Sequence, residues 1–270
     1  LSCPIATHFH AGKLCFDCME QSEFACIRHN CSGSGFKSLS YALRNWFSKR
    51  LGLFSKNVDL YLTPSEKTRQ LLCEYVGLNP DLVRSVGNPV PFVDEESDDW
   101  VPGDYIAYAG RYSPEKGFQF LVDACAELKL KLKVAGDFSG YLEKVPEPVG
   151  EISFLGALER KQMADFYRDA RMTVVPSTWH ETFGLVVAES LSRKTPVVVS
   201  DMGALAEVAG PGGRTFPAGN IEAMKLVIKD LWERTDECKG LAESGAASAR
   251  RFSSSAYVGR LIEIYKELLK

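Results

Sequence analysis

The sequence predicts an α/β protein built on a parallel, doubly wound sheet. From Asp104 onwards, short apolar runs alternate with amphipathic helical segments, as in consecutive strand–helix units. The run Thr173 to Pro176 is continuously apolar, which is typical of a strand buried on both faces. The composition, with 45% hydrophobic and 25% charged residues, is that of a globular protein. Strands that alternate with helices in this way imply a parallel, doubly wound sheet.

The elements of this sheet follow one another regularly along the chain. Predicted strands are Tyr105 to Ala109, Lys131 to Ala135, Ile152 to Leu155, Thr173 to Pro176 and Pro196 to Ser200. Predicted helices lie near 117–128, 160–169, 184–192 and 204–209, with another from Ile221 capped by Asn220. Upstream of these elements, the alternating pattern of Val58 to Thr63 predicts a strand. Ser65 is the predicted cap of a helix that runs to about Tyr75, and a short strand is predicted from Arg84.

Four segments are predicted along the chain. Residues 1–93 form a first domain with a Cys-rich start, and the acidic, aperiodic residues 94–103 form a linker. Residues 104–252 form the second domain, and 253–270 a final amphipathic helix. Because the chain begins Leu-Ser-Cys-Pro, without an initiator Met or a signal-peptide pattern, we expect an upstream segment to be missing.

Charge and hydropathy exclude some functions. No run of about 18 apolar residues occurs, so a membrane span is not expected. The net charge of -3 and pI near 5.9 argue against a general nucleic-acid binder. Residues 37–56, however, contain five basic and no acidic residues, with apolar residues at helical spacing. Such a helix can lie on an anionic membrane surface, or it can be a core helix with a solvated basic back.

Five of the eight cysteines fall within the first 31 positions. The pairs Cys15-x2-Cys18 and Cys26-x4-Cys31, with Cys3 upstream and His8, His10 and His29 nearby, can supply four ligands of a structural zinc ion. The candidate ligands are Cys3, Cys15, Cys18 and Cys31. The spacing of the second pair, Cys26 and Cys31, is not the usual one for a zinc knuckle, so reduced or partly oxidised thiols are the alternative.

The loop after the strand at 173–176 carries the first candidate site. Glu181 lies in this loop, and Glu189 lies two turns further on, in the following helix. Both carboxylates can therefore face the carboxyl end of the sheet, where ligands bind. Gly184 permits close approach, and the amides from Phe183 to Leu185 precede the first intrahelical hydrogen bond. Such amides favour an anion. The alternative is an ordinary strand-to-helix turn with two solvated glutamates.

A second candidate segment, Gly110-Arg111 with Lys116-Gly117, follows the first strand of the same domain. Arg111 offers a planar fork of donors and Lys116 a mobile point charge, which together suit a phosphate. Combined with the amides near Gly184, these two cations can converge on one diphosphate. No Gly-x-Gly-x-x-Gly fingerprint and no Walker loop occurs, which argues against dehydrogenases and P-loop enzymes.

With these motifs, the chain resembles the family 4 retaining glycosyltransferases of the GT-B fold. The resemblance is carried by the segments around Gly110 and Lys116, by Glu181-x7-Glu189, and by Thr195 to Glu207. The resemblance is strong over residues from about 98 to 252. The resemblance implies a complete carboxy-terminal Rossmann-like donor domain and the remnant of an amino-terminal Rossmann-like domain on the acceptor side. The final helix would pack back on that first domain.

The resemblance also implies roles for individual residues. Arg111 and Lys116 would hold the diphosphate of a nucleotide sugar, Glu181 would contact the donor sugar, and Glu189 would bind the ribose hydroxyls. The amides of Phe183, Gly184 and Leu185 would bind phosphate and sugar oxygens, Gly110 would lie beside the donor, and the backbone at Leu158 would touch the base. No Asp-x-Asp motif occurs, so the cations replace a metal and no cofactor is required.

The implied reaction transfers a sugar to a lipid-linked or polysaccharide acceptor, with retention, in the cytoplasm or at the inner face of the membrane. Two alternatives stay open: a truncated nucleotide-sugar-binding module without transfer activity, and a GT-B-like epimerase or hydrolase. The sequence departs from the family where Gly203-Ala204 stands for two glycines, and the family's glycine-rich loop and active-site His have no counterpart.

Overall fold

The computed structural model describes Cys3 and residues 9–10, 13–91, 93, 99–137 and 150–270. The chain divides into two compact units, residues 1–86 with 268–270 and residues 87–267. Half of the predicted 94–103 linker, residues 94–98, lies outside the described part. The domain bounds stay a prediction.

The first unit is made of short elements around one longer helix. Its strands are β1 (Phe9–His10), β2 (Lys13–Leu14), β3 (Tyr61–Thr63) and β4 (Val83–Ser85). Its helices are α1 (Asp17–Glu20), α2 (Ala25–Arg28), α3 (Gly35–Arg50), α4 (Leu53–Lys56) and α5 (Glu66–Val76). β3 and β4 pair in parallel, and the side chain of Ser65 accepts a hydrogen bond from Thr68 N, as expected of a cap.

The basic segment at 37–56 is not one continuous helix. α3 ends at Arg50, and Gly52 has the left-handed φ of +63° before α4 begins at Leu53. A left-handed residue cannot continue an α-helix, which explains the break. The buried positions of α3 are Ser38, Ala42 and Asn45, so its large apolar side chains lie on the other, more exposed faces.

The second unit contains a six-stranded parallel sheet. Its strands are β5 (Tyr105–Ala109), β6 (Lys131–Ala135), β7 (Ile152–Gly156), β8 (Met172–Val175), β9 (Val197–Ser200) and β10 (Gly213–Phe216). Their spatial order is β10-β9-β8-β5-β6-β7. The chain therefore builds outwards from β5 in one direction and then returns to add β8 on its other side. This reversal creates a topological switch point between β5 and β8.

Helices cover both faces of this sheet. They are α6 (Phe118–Leu128), α7 (Arg160–Arg168), α8 (Leu185–Ser192), α9 (Leu205–Ala209), α10 (Ile221–Glu233) and α11 (Thr235–Ala249). The chain ends with α12 (Ser254–Leu268). Alternate residues of β5 belong to different cores: Ile106 packs in the cluster with α6 and α10, and Tyr105 in the cluster with α7. Burying each large aliphatic side chain contributes about 1.5–3 kcal/mol, so these clusters hold the helices on the sheet.

Two elements of this unit differ from the sequence prediction. β10 was not predicted, because Gly-Arg-Thr-Phe has neither apolar alternation nor an apolar run; its strand conformation depends on parallel pairing with β9. The predicted helix from Ile221 is followed by a separate helix, α11, which begins after Arg234. None of the helices in the described part of the chain combines the length and apolar character that crossing a bilayer requires.

Candidate active site

A cavity of about 270 Å³ lies at the carboxyl ends of β5 and β8, at the switch point of the sheet. It is lined by Asn88, Tyr108, Ala109, Gly110, Lys116, Val175, Leu205 and residues 181–186. Ligands of open α/β sheets bind at such a crevice, because the loops after two neighbouring strands diverge there and leave a gap between them. The position of the cavity depends on strand order, which no single motif specifies.

The two candidate segments of the sequence meet across this cavity. Lys116 ends a short 3-10 helix after β5, and its Nζ lies 2.5 Å from Oε1 of Glu181 in the loop after β8. The two side chains are only 22% and 15% exposed. Because the pair is partly shielded from water, its attraction is stronger than that of a surface ion pair. The pairing holds the ammonium group of Lys116 at the wall of the cavity.

The amino terminus of α8 forms another wall. Gly184 has a φ of +95°, and the first hydrogen bond of the helix runs from Val187 N to Gly184 O. The amides of Leu185 and Val186 precede that bond and belong to residues that line the cavity. The Ser190 hydroxyl lies 2.8 Å from Oγ1 of the buried Thr173, which fixes α8 on β8. Backbone donors and the helix dipole therefore face the same space as Lys116.

The loop after β5 is held against the loop after β8 by backbone contacts. Thr178 N donates to Glu115 O at 2.9 Å. Gly117 has a φ of +67°, and a Cβ built there would lie 2.0 Å from Pro176 O. Only glycine fits such a contact. The close approach of the loop after β8 therefore explains why a glycine follows Lys116.

Gly203 supports Glu181 from behind. Ala204 N donates to Glu181 O at 2.8 Å. Gly203 has a φ of +65°, and a Cβ there would lie 2.2 Å from Glu181 O. Sequence reasoning treated Gly203 only as part of a family motif and missed this supporting role. The available signal was that Gly203 follows shortly after Ser200, the last residue of β9. The residue that it supports, Glu181, lies in another loop, so the signal did not point to it.

Three predicted site residues lie outside the cavity lining. The Arg111 side chain is 63% exposed, with its guanidinium 3.8 Å from Glu115 Oε1. Leu158, between β7 and α7, packs against the cluster that contains Tyr105 and Ala164. Glu189, on α8, accepts a hydrogen bond of 2.9 Å from the hydroxyl of the fully buried Tyr167. Their proposed contacts with a donor stay predictions.

Sequence reasoning also missed three polar residues of the lining, Asn88, Tyr108 and Thr182. Asn88 precedes the six-stranded sheet in the sequence, and it belongs to no motif that would have indicated a position beside the strands. Tyr108 belongs to the apolar run of β5, yet its hydroxyl donates to Arg111 O at 3.0 Å. Burial, together with the nearby carboxylates of Glu181 and Glu115, raises the pKa of Tyr108, so its hydroxyl stays protonated and can donate.

Burial also raises the pKa of Glu189 above its ordinary value of 4.5, although the hydrogen bond from Tyr167 opposes the shift. A raised carboxyl pKa contributes stability that is fully present below the unfolded-state pKa and is lost as pH rises through the folded-state pKa. We therefore expect Glu189→Gln to raise the Tm at neutral pH, because glutamine keeps an acceptor for Tyr167 without a buried charge.

Thermal unfolding between pH 4 and 8 measures this effect, with the exposed Glu243→Gln on α11 as the matched control. The gain in Tm for Glu189→Gln should grow as pH rises above about 4.5 and be absent in the control. Parallel pH profiles for the wild type and Glu189→Gln would contradict the raised pKa.

The four predicted zinc ligands lie near one another, because the thiols of Cys3, Cys31 and Cys15 add to the effect of burial on the pKa of Cys18. Among the described residues, the possible ligand atoms that lie within 4.8 Å of one another belong to Cys15, Asp17 and His29. Cys18 is buried, and burial, with additions from neighbouring thiols, raises its pKa to about 11. The four-thiol set stays a prediction.

A parallel doubly wound sheet with a ligand-sized cavity at its switch point defines a Rossmann-like ligand-binding domain. The chain belongs to the family Glycosyl transferases group 1, which residues 96–248 match. The chain has an α/β architecture with parallel sheets, like that of the GT-B glycosyltransferases. This finding confirms the predicted fold class. This match confirms the predicted resemblance to a glycosyltransferase family.

Individual relatives agree with this assignment. The chain is 25% identical over 253 residues to an uncharacterised glycosyltransferase of Methanocaldococcus jannaschii, covering 92% of this chain and 66% of the relative. It is 28% identical over 174 residues to a phosphatidyl-myo-inositol mannosyltransferase of Mycobacterium leprae, covering 61% and 46%. The structure of Anabaena HepE with UDP-glucose superposes with a TM-score of 0.66 at 18% identity, covering 82% of this chain and 68% of HepE. The chain thus spans about half to two thirds of the length of these two curated relatives.

Proposed function

We propose that this chain binds a nucleotide-diphosphate sugar and belongs to a retaining family 4 glycosyltransferase that transfers the sugar to a lipid-linked or polysaccharide acceptor. The observation that carries the proposal is the meeting of Lys116, Glu181 and the first amides of α8 in one cavity at the switch point. Relatives support the substrates: one is named for a mannosyl transfer to phosphatidyl-myo-inositol, and one structure holds UDP-glucose.

The chemistry of the cavity matches the charge that develops in this reaction. Breaking the bond between the sugar and the diphosphate leaves negative charge on the diphosphate oxygens. Lys116 Nζ and the amides of Leu185 and Val186 are donors held in place before the substrate arrives. Preorganised donors stabilise the leaving group without reorganisation during the reaction. A diphosphate at Lys116 would compete with Glu181 for the ammonium group and leave Glu181 available to a sugar hydroxyl.

Arg111 and Glu189 complete the proposed donor site from outside the cavity lining. In this proposal, Arg111 adds a second cation from the exposed loop after β5, and Glu189 binds the ribose hydroxyls. Gly110, Phe183 and Gly184 bring backbone close to the donor, and the loop at Leu158 lies by the base. Family membership does not favour the epimerase or hydrolase alternative.

Calorimetric titration of the chain with UDP, GDP and ADP tests the donor site. One nucleotide is expected to bind and so to identify the base. If none binds to the folded chain under conditions in which its thermal unfolding is cooperative, the assignment of the donor site to this chain fails.

We also propose that donor binding needs no divalent metal, because Lys116 and the α8 amides supply the positive field. The dissociation constant of the bound nucleotide should change by less than about threefold when Mg²⁺ is added, which is less than 1 kcal/mol. A change of tenfold or more in favour of the Mg²⁺ complex would show that the cations of the protein do not replace a metal.

A peripheral membrane contact through α3 is part of the proposal for the acceptor side. Phe36 is 80% exposed and Phe47 52% exposed, and α3 ends with Lys49 and Arg50. Aromatic side chains next to basic residues suit the surface of an anionic bilayer. Co-sedimentation with anionic vesicles at low salt is expected, and Phe36→Ser with Phe47→Ser should reduce it. Equal sedimentation with neutral vesicles or with the double variant would contradict this contact.

A further inference from the structure

The start of the first unit, residues 13–34, buries thiols where a domain normally buries aliphatic side chains. Its core cluster consists of Cys18, Ala25 and Cys26, with Cys31 packed against it. Its helices α1 and α2 have four residues each. Segments this short form no stable helix alone, and a core of this size contributes little hydrophobic stabilisation. Small segments of this kind usually hold their shape through disulfides or a bound metal.

A group of three different metal-binding side chains lies beside this core. Sγ of Cys15, a carboxylate oxygen of Asp17 and a ring nitrogen of His29 lie within 4.8 Å of one another, and all three residues are half-buried. They come from two places in the chain: Cys15 and Asp17 lie between β2 and the first turn of α1, and His29 is the residue after α2. The His10 ring lies beside them, with its centroid 4.7 Å from that of His29.

The hydrogen bond between Asp17 and His29 explains part of this arrangement. Asp17 Oδ2 lies 2.6 Å from His29 Nε2, and an aspartate–histidine pair needs no metal. Such a pair does not explain why a thiol lies at the same point. A thiolate, an imidazole and a carboxylate together are a ligand set that Zn²⁺ accepts, since zinc binds sulfur, nitrogen and oxygen donors.

We propose that Cys15, Asp17 and His29 bind one Zn²⁺ ion, with His10 or water as the fourth ligand. Binding deprotonates the Cys15 thiol, the proton passes to solvent, and the thiolate, imidazole nitrogen and carboxylate donate to the ion. The ion connects the residues after β2 to the end of α2 and so stabilises residues 13–34. This zinc is structural, and it lies in the first unit rather than in the unit that holds the candidate active site.

This ligand set differs from the four-thiol set expected from spacing, and the two sets share only Cys15. Asp17→Asn and His29→Gln remove ligands of the proposed set alone. Cys31→Ser removes a ligand of the four-thiol set alone. Cys73→Ser, on α5 and half-buried, removes a thiol that belongs to neither set.

The test uses the full chain, stripped of metal under a non-thiol reductant, and titrated with Zn²⁺ against a chromophoric chelator. One Zn²⁺ per chain is expected. Asp17→Asn and His29→Gln should each weaken binding by about 100-fold or more, since even outer-shell changes cost 10–100-fold. Cys31→Ser and Cys73→Ser should bind as the wild type does.

Titration with Co²⁺ gives a second readout that does not depend on stability. A thiolate-to-cobalt charge-transfer band should appear for the wild type and for Cys31→Ser, and should be absent in Cys15→Ser. Zn²⁺ should also raise the Tm of the wild type and leave that of Cys15→Ser unchanged. Loss of binding in Cys31→Ser with retention in Asp17→Asn would overturn the proposal in favour of four thiols, and no stoichiometric binding at micromolar Zn²⁺ would overturn it outright.

Discussion

Lys116→Ala is expected to weaken binding of the nucleoside diphosphate by about 10- to 100-fold, since a hydrogen bond to a charged group contributes about 1.5–3 kcal/mol. The loss has a second source. Glu181 is 15% exposed and is paired with Lys116 Nζ at 2.5 Å, so removing the lysine leaves an uncompensated carboxylate in the cavity. That carboxylate repels the diphosphate.

The double variant Lys116→Ala with Glu181→Gln separates these two effects. It should recover part of the affinity lost in Lys116→Ala, because the repelling charge is gone. Lys131→Ala is the matched control: its ammonium pairs with Asp104 at 2.6 Å, next to the opposite, amino-terminal ends of β5 and β6. Calorimetry on all four proteins gives the comparison. Wild-type affinity in Lys116→Ala, or the same loss in Lys131→Ala, would contradict a diphosphate at Lys116.

Gly203→Ala is expected to destabilise the second unit by about 2–4 kcal/mol and to reduce the preference for nucleotide sugar over free nucleotide. Alanine at a left-handed φ costs about 1–2 kcal/mol by itself. The new Cβ would lie 2.2 Å from Glu181 O and would displace the backbone that presents the Glu181 carboxylate. Glu181 is proposed to contact the sugar, so the sugar-dependent part of the affinity should fall most.

Comparing Gly203→Ala with Gly219→Ala in the same unit isolates the steric part of this effect. Gly219 has a φ of +76°, and a Cβ there has no atom within 4 Å. It should therefore show the backbone cost alone, with unchanged nucleotide-sugar binding. Thermal unfolding, and calorimetry with the nucleoside diphosphate that binds and with its sugar conjugate, measure both quantities. If the two variants behave alike, Gly203 does not position Glu181.

Local sequence signals determined most elements of the second unit and many of its site residues. The bounds of β5, β6 and α8 agree with the predicted ones within one residue, because apolar periodicity, glycines and caps act over a few positions. The cap at Asn220 is a further example, accepting a hydrogen bond from Ala223 N. Edge strand β10 escaped prediction because its conformation depends on a neighbour rather than on its own residues.

The tertiary structure alone decided which of these residues meet. Lys116 and Glu181 are 65 positions apart, and they form a pair because β8 returns to lie beside β5. The same packing turns Glu189 towards Tyr167 on α7 and places Gly203 against the Glu181 backbone. Sequence by itself therefore determined the order of the elements and the chemistry available at the strand ends, through short-range periodicity and capping. Strand order and loop-to-loop contacts depend on long-range packing, which no local pattern encodes, and they decided how that chemistry is assembled.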